Sequence, residues 1–128
     1  MRRRNEIAGP MGNRLSESEA LHIWRCALVD VIRGAAPDLS VRQMAVLLSV
    51  YLTPPPHTVR GLASKLNMSK PAVTRALDKL GDLRFLRRKV DRKDRRSVLI
   101  HRTPRGTVFL SEFAHLITDA AETLNRDG

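Results

Sequence analysis

The chain has 128 residues, of which 42% are hydrophobic and 28% are charged, as expected for one folded domain. No apolar run approaches the roughly 20 residues of a transmembrane helix, and the basic N-terminus lacks the apolar segment of a secretory signal. The single cysteine, Cys26, excludes an intramolecular disulfide and a CxxC zinc site. We therefore expect a cytoplasmic protein that folds without a metal or a disulfide.

The positive charge is concentrated in one segment. The formal net charge is +10, and residues 57–106 alone hold 15 basic and 4 acidic side chains, a net charge of +11. The rest of the chain holds 8 basic and 9 acidic side chains, a net charge of −1. Such an excess indicates a polyanionic partner, and its position indicates which segment binds that partner.

Two stretches bound the N-terminal helices. Residues 1–15 include three consecutive arginines and few apolar side chains, which predicts a flexible basic tail. Pro54, Pro55 and Pro56 cannot continue a helix, because each lacks an amide donor and fixes φ. The segment between them, residues 16–52, is predicted to form helices that support the fold or mediate dimerisation.

Capping signals place these two helices. Ser16 with Glu19, and Ser40 with Gln43, have the spacing of a capping box, and Gly34 is predicted to end the first helix. Apolar residues then recur at helical spacing. They are Ala20, Leu21, Trp24, Leu28 and Val31 in the first helix, and Met44, Leu47, Leu48 and Tyr51 in the second.

The basic segment predicts a helix-turn-helix. A short helix runs from Thr58 to Leu66, and Ser69 is the N-cap of a second helix through Leu80. Asn67 lies in the turn and tolerates a left-handed conformation. At about 100° per residue, the second helix separates an apolar face from a polar one. The apolar face holds Val73, Ala76, Leu77 and Leu80, and the polar face holds Pro71, Thr74, Arg75 and Asp78, flanked by Lys70 and Lys79.

The polar face of this helix suits the major groove of duplex DNA. Arg75 can donate two hydrogen bonds to guanine, and the methyl group of Thr74 can contact thymine. Ser69 and Lys70 begin the helix, where free amides and the helix dipole favour a phosphate. The alternative is an ordinary solvated helix face, and the compact helix-turn-helix beside it favours the DNA interpretation.

The charged stretch 91–96 is predicted to be the tip of a hairpin, with strands at 86–90 and 97–102. Its basic residues are Arg92, Lys93, Arg95 and Arg96. Beside a helix-turn-helix this hairpin is a wing, and Arg95 or Arg96 is predicted to enter the adjacent minor groove. We expect one aspartate, Asp94, to shape the loop or orient an arginine. The alternative is a tip charged only to prevent aggregation, which needs fewer than four cations.

These features resemble the winged helix-turn-helix of the MarR family of bacterial transcription regulators. The resemblance rests on LASKLNMSKPAVTRALDKL from Leu62 to Leu80, on Asp-Arg-Arg at 94–96, and on Thr103 with Gly106. It implies a mainly α fold in which residues 57–103 form a winged helix-turn-helix with a small β-hairpin wing, flanked by N- and C-terminal dimerisation helices. It also implies a homodimer that binds a palindromic duplex. It places Ser69, Lys70, Thr74 and Arg75 in the major groove and the wing arginines in the minor groove.

The chain departs from this family at three places. Arg102 occupies a position that is usually apolar, and Arg84 and Phe85 lie where a glycine often precedes the wing. We expect one C-terminal helix, over residues 104–128, in place of the usual two. Many family members bind small-molecule effectors in a pocket beside the dimerisation helices, a region that is shorter in this chain.

The broad apolar face of the C-terminal helix is predicted to pair with the first helix of a second copy. Packing within one chain is the alternative, and both can hold. The predicted dimerisation residues are Leu21, Trp24, Leu28, Phe109, Phe113, Leu116, Ile117 and Leu124.

No catalytic or metal-binding constellation is predicted. The four histidines lie far apart without HxxxH or HxH spacing, so we expect neither an enzyme nor a cofactor. Cys26, beside Arg25, is either a redox sensor or a passive side chain. The leading hypothesis is a sequence-specific, nucleoid-associated regulator that acts as a repressor. The alternatives are an architectural DNA-binding protein and a winged-helix module that binds another protein.

Overall fold

The computed structural model describes residues 14–127, so nearly all of the predicted basic tail lies outside the described residues. The elements are α1 (Glu17–Arg33), α2 (Val41–Leu52), α3 (Val59–Leu66), α4 (Lys70–Asp82), β1 (Leu86–Val90), β2 (Val98–Arg102) and α5 (Pro104–Asp127). The predicted mainly helical fold with a two-stranded wing is therefore confirmed. Among the described helices, none is long and apolar enough to cross a membrane.

Both predicted capping boxes are formed. The Glu19 amide donates to Ser16 Oγ at 3.1 Å, and the Ser16 amide donates to Glu19 Oε1 at 2.9 Å. Ser40 and Gln43 make the same reciprocal pair at 3.1 and 2.9 Å. Each box satisfies two amides that a helix start leaves without partners, so α1 and α2 begin where the sequence predicts.

The described helices group into two compact units. One contains α1 together with α5 from Phe113 onward, and the other is residues 36–112. The second unit has a single core, to which α2 contributes the fully buried Val46, Leu47 and Val50. The sequence analysis placed a domain boundary between residues 52 and 57. In the structure, α2 packs with the winged helix-turn-helix, because the apolar stripe of α2 completes the core of residues 36–112.

A tyrosine hydroxyl joins α2 to both ends of the wing. Tyr51 Oη lies 2.8 Å from the Phe85 carbonyl and 3.0 Å from the Thr103 carbonyl, to which it can donate. It also accepts from the Thr103 amide at 2.9 Å. Phe85 directly precedes β1 and Thr103 directly follows β2. One side chain therefore satisfies backbone groups at the base of both strands.

The pair Thr103 and Gly106 completes this junction. Thr103 Oγ1 donates to the Arg84 carbonyl at 2.7 Å and accepts from the Gly106 amide at 3.0 Å, so it caps the start of α5. A Cβ at Gly106 would collide with the hydroxyl of Tyr51 and the carbonyl of Phe85. The Thr-x-x-Gly spacing therefore has two structural reasons. Thr103 caps the start of α5, and Gly106 leaves room for the hydroxyl of Tyr51.

Two residues that differ from the family pattern, Arg84 and Arg102, have identifiable roles in the structure. Arg84 has φ 65°, a left-handed conformation in which glycine is the least strained residue, and Asn67 has the predicted left-handed conformation with φ 53°. Arg102 donates from Nε to the Val50 carbonyl at 3.0 Å and from Nη2 to the Thr53 carbonyl at 3.2 Å. Arg102 therefore caps the end of α2, which gives this basic side chain a structural role.

We expect Gly106→Ala to lower the free energy of unfolding by about 1–3 kcal/mol, because the new methyl group displaces Tyr51 from its hydrogen bonds. Urea unfolding followed by far-ultraviolet circular dichroism measures this change. Gly81→Ala is the matched control. A Cβ there meets only Nη2 of Arg88, at 3.9 Å, so Gly81→Ala is expected to be neutral or to stabilise α4 by up to about 1 kcal/mol. Equal stability of the two variants would contradict the proposed role of Gly106.

Candidate nucleic-acid interface

The two faces of α4 are divided as the sequence predicts. Val73, Ala76, Leu77 and Leu80 are buried against the core of residues 36–112. The opposite face is exposed, with Pro71, Thr74, Arg75, Asp78 and Lys79 all open to solvent. Burial of one face holds the helix rigidly, so the exposed side chains project from a fixed backbone.

The start of α4 is built as predicted. Ser69 Oγ accepts from the Ala72 amide at 3.2 Å, and Pro71 lies in the first turn, where its missing amide has no cost. Lys70 is the first helical residue and is exposed. The first turn of α4 therefore combines a capped helix start with an exposed cation, an arrangement that favours an anion.

The wing is an antiparallel pair with Leu86 opposite Arg102 and Val90 opposite Val98. Its second strand begins one residue later than predicted, at Val98. The cause is the turn, because the Ser97 amide donates to the Asp94 carbonyl at 2.8 Å and the Asp91 amide donates to the Ser97 carbonyl at 3.0 Å.

Both wing aspartates, rather than one, organise the tip. Asp94 Oδ1 accepts from the Arg96 amide at 3.1 Å and from Arg96 Nε at 3.4 Å, while Oδ2 accepts from Ser97 Oγ at 3.4 Å. Asp91 Oδ1 accepts from the Lys93 amide at 3.0 Å. The two carboxylates order the backbone between the four exposed cations of the tip.

An ion pair that the sequence did not predict connects the wing to α4. Arg88 Nη2 lies 2.8 Å from Asp78 Oδ1, on the exposed face of the helix. Both side chains are partly exposed, so the pair contributes at most about 1 kcal/mol to stability. Its effect is to hold β1 beside α4 and to neutralise the carboxylate on the basic face.

The predicted dimerisation residues fall into two groups. On α1, Leu21, Trp24 and Leu28 are 68%, 45% and 41% exposed, and Ile32, which the sequence missed, extends the same stripe and is 72% exposed. The five predicted residues of α5 are buried or half-buried in their own chain, which agrees with the alternative that the sequence left open. Phe109 stacks on Phe85 with ring centroids 4.4 Å apart, Phe113 packs edge-on against Trp24 at 6.2 Å, and Leu116, Ile117 and Leu124 are half-buried.

Two features of the structure concern the predicted regulatory signals, a redox signal at Cys26 and a small-molecule effector. Cys26 is half-buried, with Sγ 3.4 Å from Nε2 of His22, and its redox role stays a prediction. A cleft of about 230 Å³ lies between the loop before α2 and the first half of α5, with Pro37, Phe85 and Val108 among its lining residues. This cleft is smaller than the roughly 300–1,000 Å³ of most small-molecule pockets, and the effector also stays a prediction.

Comparison with known proteins identifies the fold. A sequence model described as MarR family matches residues 38–97, which include α2, the helix-turn-helix, β1 and the wing tip. Over these residues the chain is similar to the MarR family. The resemblance seen in the sequence is thereby confirmed. No curated protein matches the sequence.

Solved structures of MarR-family proteins have the same architecture. A variant of S. aureus MepR bound to an oligodeoxyribonucleotide has a TM-score of 0.73 at 21% identity, covering 84% of this chain and 76% of that one. The S. aureus MepR–DNA complex has a TM-score of 0.66 at 21% identity, with 86% and 85% covered. The transcriptional regulator Tm0710 of Thermotoga maritima has a TM-score of 0.69 at 22% identity, with 87% and 78% covered. At these identities the likeness shows the shared fold.

We expect Asp94→Ala to loosen the wing tip without unfolding the chain. Loss of the acceptor for the Arg96 amide should raise hydrogen exchange at that amide by up to about tenfold, while global stability changes by less than about 0.5 kcal/mol. Asp94→Asn keeps an acceptor oxygen and is the control. If Asp94→Asn exchanged as fast as Asp94→Ala, the negative charge rather than the hydrogen bond would order the tip.

Proposed function

We propose that this chain is a sequence-specific regulator of transcription that binds double-stranded DNA as a homodimer and acts as a repressor. The observation that carries the proposal is the exposed basic face of α4 beside an ordered cationic wing. Both lie in the segment with a net charge of +11, and the MarR-family match overlaps that segment. Two similar solved structures are of MepR bound to DNA, which supports a DNA partner for this chain.

In this proposal α4 is the recognition helix and enters the major groove. Arg75 reads a guanine through two donors, and Thr74 contacts a thymine methyl group. Ser69, Lys70, Pro71 and Lys79 position the helix against the backbone, a role that carries no sequence information. The buried opposite face supports this assignment, because it holds the reading side chains on a rigid element.

The wing arginines enter the adjacent minor groove. Narrow A·T-rich grooves attract arginine through their enhanced negative potential, and Arg95 and Arg96 are exposed at the tip. Asp94 orders the backbone that carries them. Arg92 and Lys93 contribute to the contact with phosphates.

The homodimer is proposed from the exposed apolar stripe on α1. Large apolar patches on a soluble chain mark interaction sites, and a two-fold dimer buries the same patch from both copies. Two recognition helices related in this way read an inverted repeat, which explains the proposed palindromic operator. Repression follows from occupancy alone, when the operator overlaps the site at which polymerase binds.

Selection from a random duplex library at near-physiological salt tests sequence-specific binding. We expect an enriched inverted repeat with half-sites about one helical turn apart.

Arg75→Ala should relax the base preference at one base pair per half-site, a loss of about 1–3 kcal/mol in discrimination between bases. Arg95→Ala with Arg96→Ala should weaken binding broadly and flatten its salt dependence by about one unit of slope for each lost phosphate contact.

Retention of DNA without an enriched motif would identify an architectural binder that reads only backbone and groove shape. Weak DNA binding despite the basic segment would favour a module whose partner is another protein. Parent-like behaviour of both the Arg75 and wing variants would contradict the docking geometry.

Sedimentation analysis tests the dimer. We expect the parent chain to sediment as a dimer and Leu28→Glu to sediment as a monomer, because a buried unpaired charge is costly at an apolar interface. Val41→Glu is the matched control, since Val41 is 86% exposed on α2, outside the α1 stripe. A dimeric Leu28→Glu would exclude the α1 stripe as the interface.

A further inference from the structure

The two edges of the wing sheet differ in what lies beside them. β2 has β1 on one side, and on the other side Thr58 forms an isolated antiparallel bridge with Leu99. The segment that leads into α3 therefore covers the edge of β2. Among the described residues, no backbone segment pairs with the opposite side of β1. The outer edge of the wing is thus an unpaired strand edge.

The register of the wing decides which backbone groups of β1 point toward this outer edge. In an antiparallel pair, residues that exchange hydrogen bonds alternate with residues whose amides and carbonyls point away from the partner strand. The Ile100 amide points away from β1, because it donates to the His57 carbonyl at 2.9 Å. Ile100 lies opposite Arg88, so this pair is of the outward-pointing kind. The period of two residues adds Val90 to the outward-pointing set.

The outward-pointing groups of Arg88 and Val90 are open to a ligand. Both residues are exposed, whereas Leu86, which has the same orientation, is buried at the base of the wing. Among the described residues, no group outside β2 forms a hydrogen bond with the amide or the carbonyl of Arg88 or Val90. Two amides and two carbonyls can therefore bond to an added strand, which is the basis of peptide recognition by strand addition.

The side chains beside this edge define the chemistry of a strand that fits it. Successive residues of a strand point to opposite faces, so Arg87 and Lys89 lie on one face and are exposed. Val90, which is 50% exposed, lies on the other face, together with the Arg88–Asp78 ion pair. Neighbouring strands interact through side chains on the same face. The matching segment therefore alternates acidic residues, which meet the two cations, with apolar residues, which meet Val90.

Charge also decides between the possible occupants of the edge. A second copy of β1 has the sequence LRRKV, and the chain itself begins with MRRR, so both would place cations beside Arg87 and Lys89. Like charges on neighbouring strands are destabilising. A charged edge prevents self-association of this kind. The same charges attract an acidic strand from another protein.

We propose that the outer edge of β1, at Arg88 and Val90, binds an extended acidic segment of another protein by strand addition. The main-chain hydrogen bonds supply the affinity, and Arg87 and Lys89 supply the preference for acidic residues. This surface gives the chain a protein partner in addition to the proposed DNA partner. The proposal does not rest on DNA binding.

A synthetic peptide of alternating glutamate and valine residues tests strand addition in the absence of DNA, while the amide resonances of the parent chain are followed. We expect saturable shifts, and hydrogen exchange at the Arg88 and Val90 amides should slow by about tenfold at saturation. The amides of Arg87 and Lys89 already bond to β2, so their exchange should change by less than about twofold. A peptide N-methylated at the alternate amides that face β1 cannot donate to it, and should bind about fivefold more weakly or worse.

Charge reversal tests the preference for acidic residues. Arg87→Glu combined with Lys89→Glu should weaken binding of the glutamate peptide by about tenfold or more, and should allow a lysine–valine peptide to bind. The parent chain should reject the lysine–valine peptide. Arg42→Glu combined with Lys65→Glu is the matched control, because it changes the net charge equally at exposed positions of α2 and α3. It should weaken binding by at most about twofold, since distant surface charges are screened.

Val90→Pro tests the backbone contact. Proline removes the outward-pointing amide and leaves the hydrogen bonds to β2, the one arrangement in which an edge strand tolerates proline. Peptide binding should weaken about fivefold, whereas Val90→Thr keeps the amide and should bind like the parent. Circular dichroism checks the fold of each variant. If Val90→Pro does not fold, the N-methylated peptide tests the same hydrogen bonds on the parent chain.

The outcomes separate strand addition from simple attraction between charges. Protection confined to the Arg88 and Val90 amides, together with a reversed charge preference in the glutamate variant, supports the proposal. Equal binding of the glutamate and lysine peptides overturns it, and so does equal binding of the methylated and unmethylated peptides. Equal protection of these two amides by a short DNA duplex would assign the edge to nucleic acid and also overturn it. None of these results depends on an operator, so this proposal and the regulator can fail independently.

Discussion

The hydroxyl of Tyr51 is the contact on which the geometry of the wing depends. Three backbone groups at the base of the two strands, at Phe85 and Thr103, lie within hydrogen-bonding distance of this one oxygen. A partly buried backbone group that loses its partner costs about 1–3 kcal/mol. The hydroxyl reaches them only because Gly106 has no side chain. The orientation of the hairpin relative to α2 therefore depends on Tyr51 and Gly106, which lie 55 residues apart in the sequence.

The charges of the basic segment serve two purposes. Arg102 caps α2, and Arg88 pairs with Asp78, so these two cations hold the structure together. Asp91 and Asp94 bind backbone amides of the wing tip. Three of the four acidic residues in the segment are therefore engaged in shaping it, and the remaining exposed cations form the surface proposed to meet DNA. A count of basic residues alone would overestimate the number of phosphate contacts.

The apolar face of α1 has a different character from that of α5. Phe109 and Phe113 are buried in their own chain, where they stack on Phe85 and pack against Trp24. Leu21, Leu28 and Ile32 remain open to solvent. Burial of exposed apolar area drives association. The exposed stripe of α1 is therefore expected to contribute more to the proposed dimer than the core-facing residues of α5.

The amino-acid sequence determined the local features of this protein. Capping boxes at Ser16 and Ser40, the left-handed Asn67 and the two faces of α4 depend on residues a few positions apart, and all are formed as predicted. The family resemblance also followed from residues that are close in sequence. Only the tertiary structure decided the Tyr51 junction, the role of Arg102 and the Arg88–Asp78 pair. These depend on the packing of separate elements, and helical or strand periodicity carries no information on which elements meet.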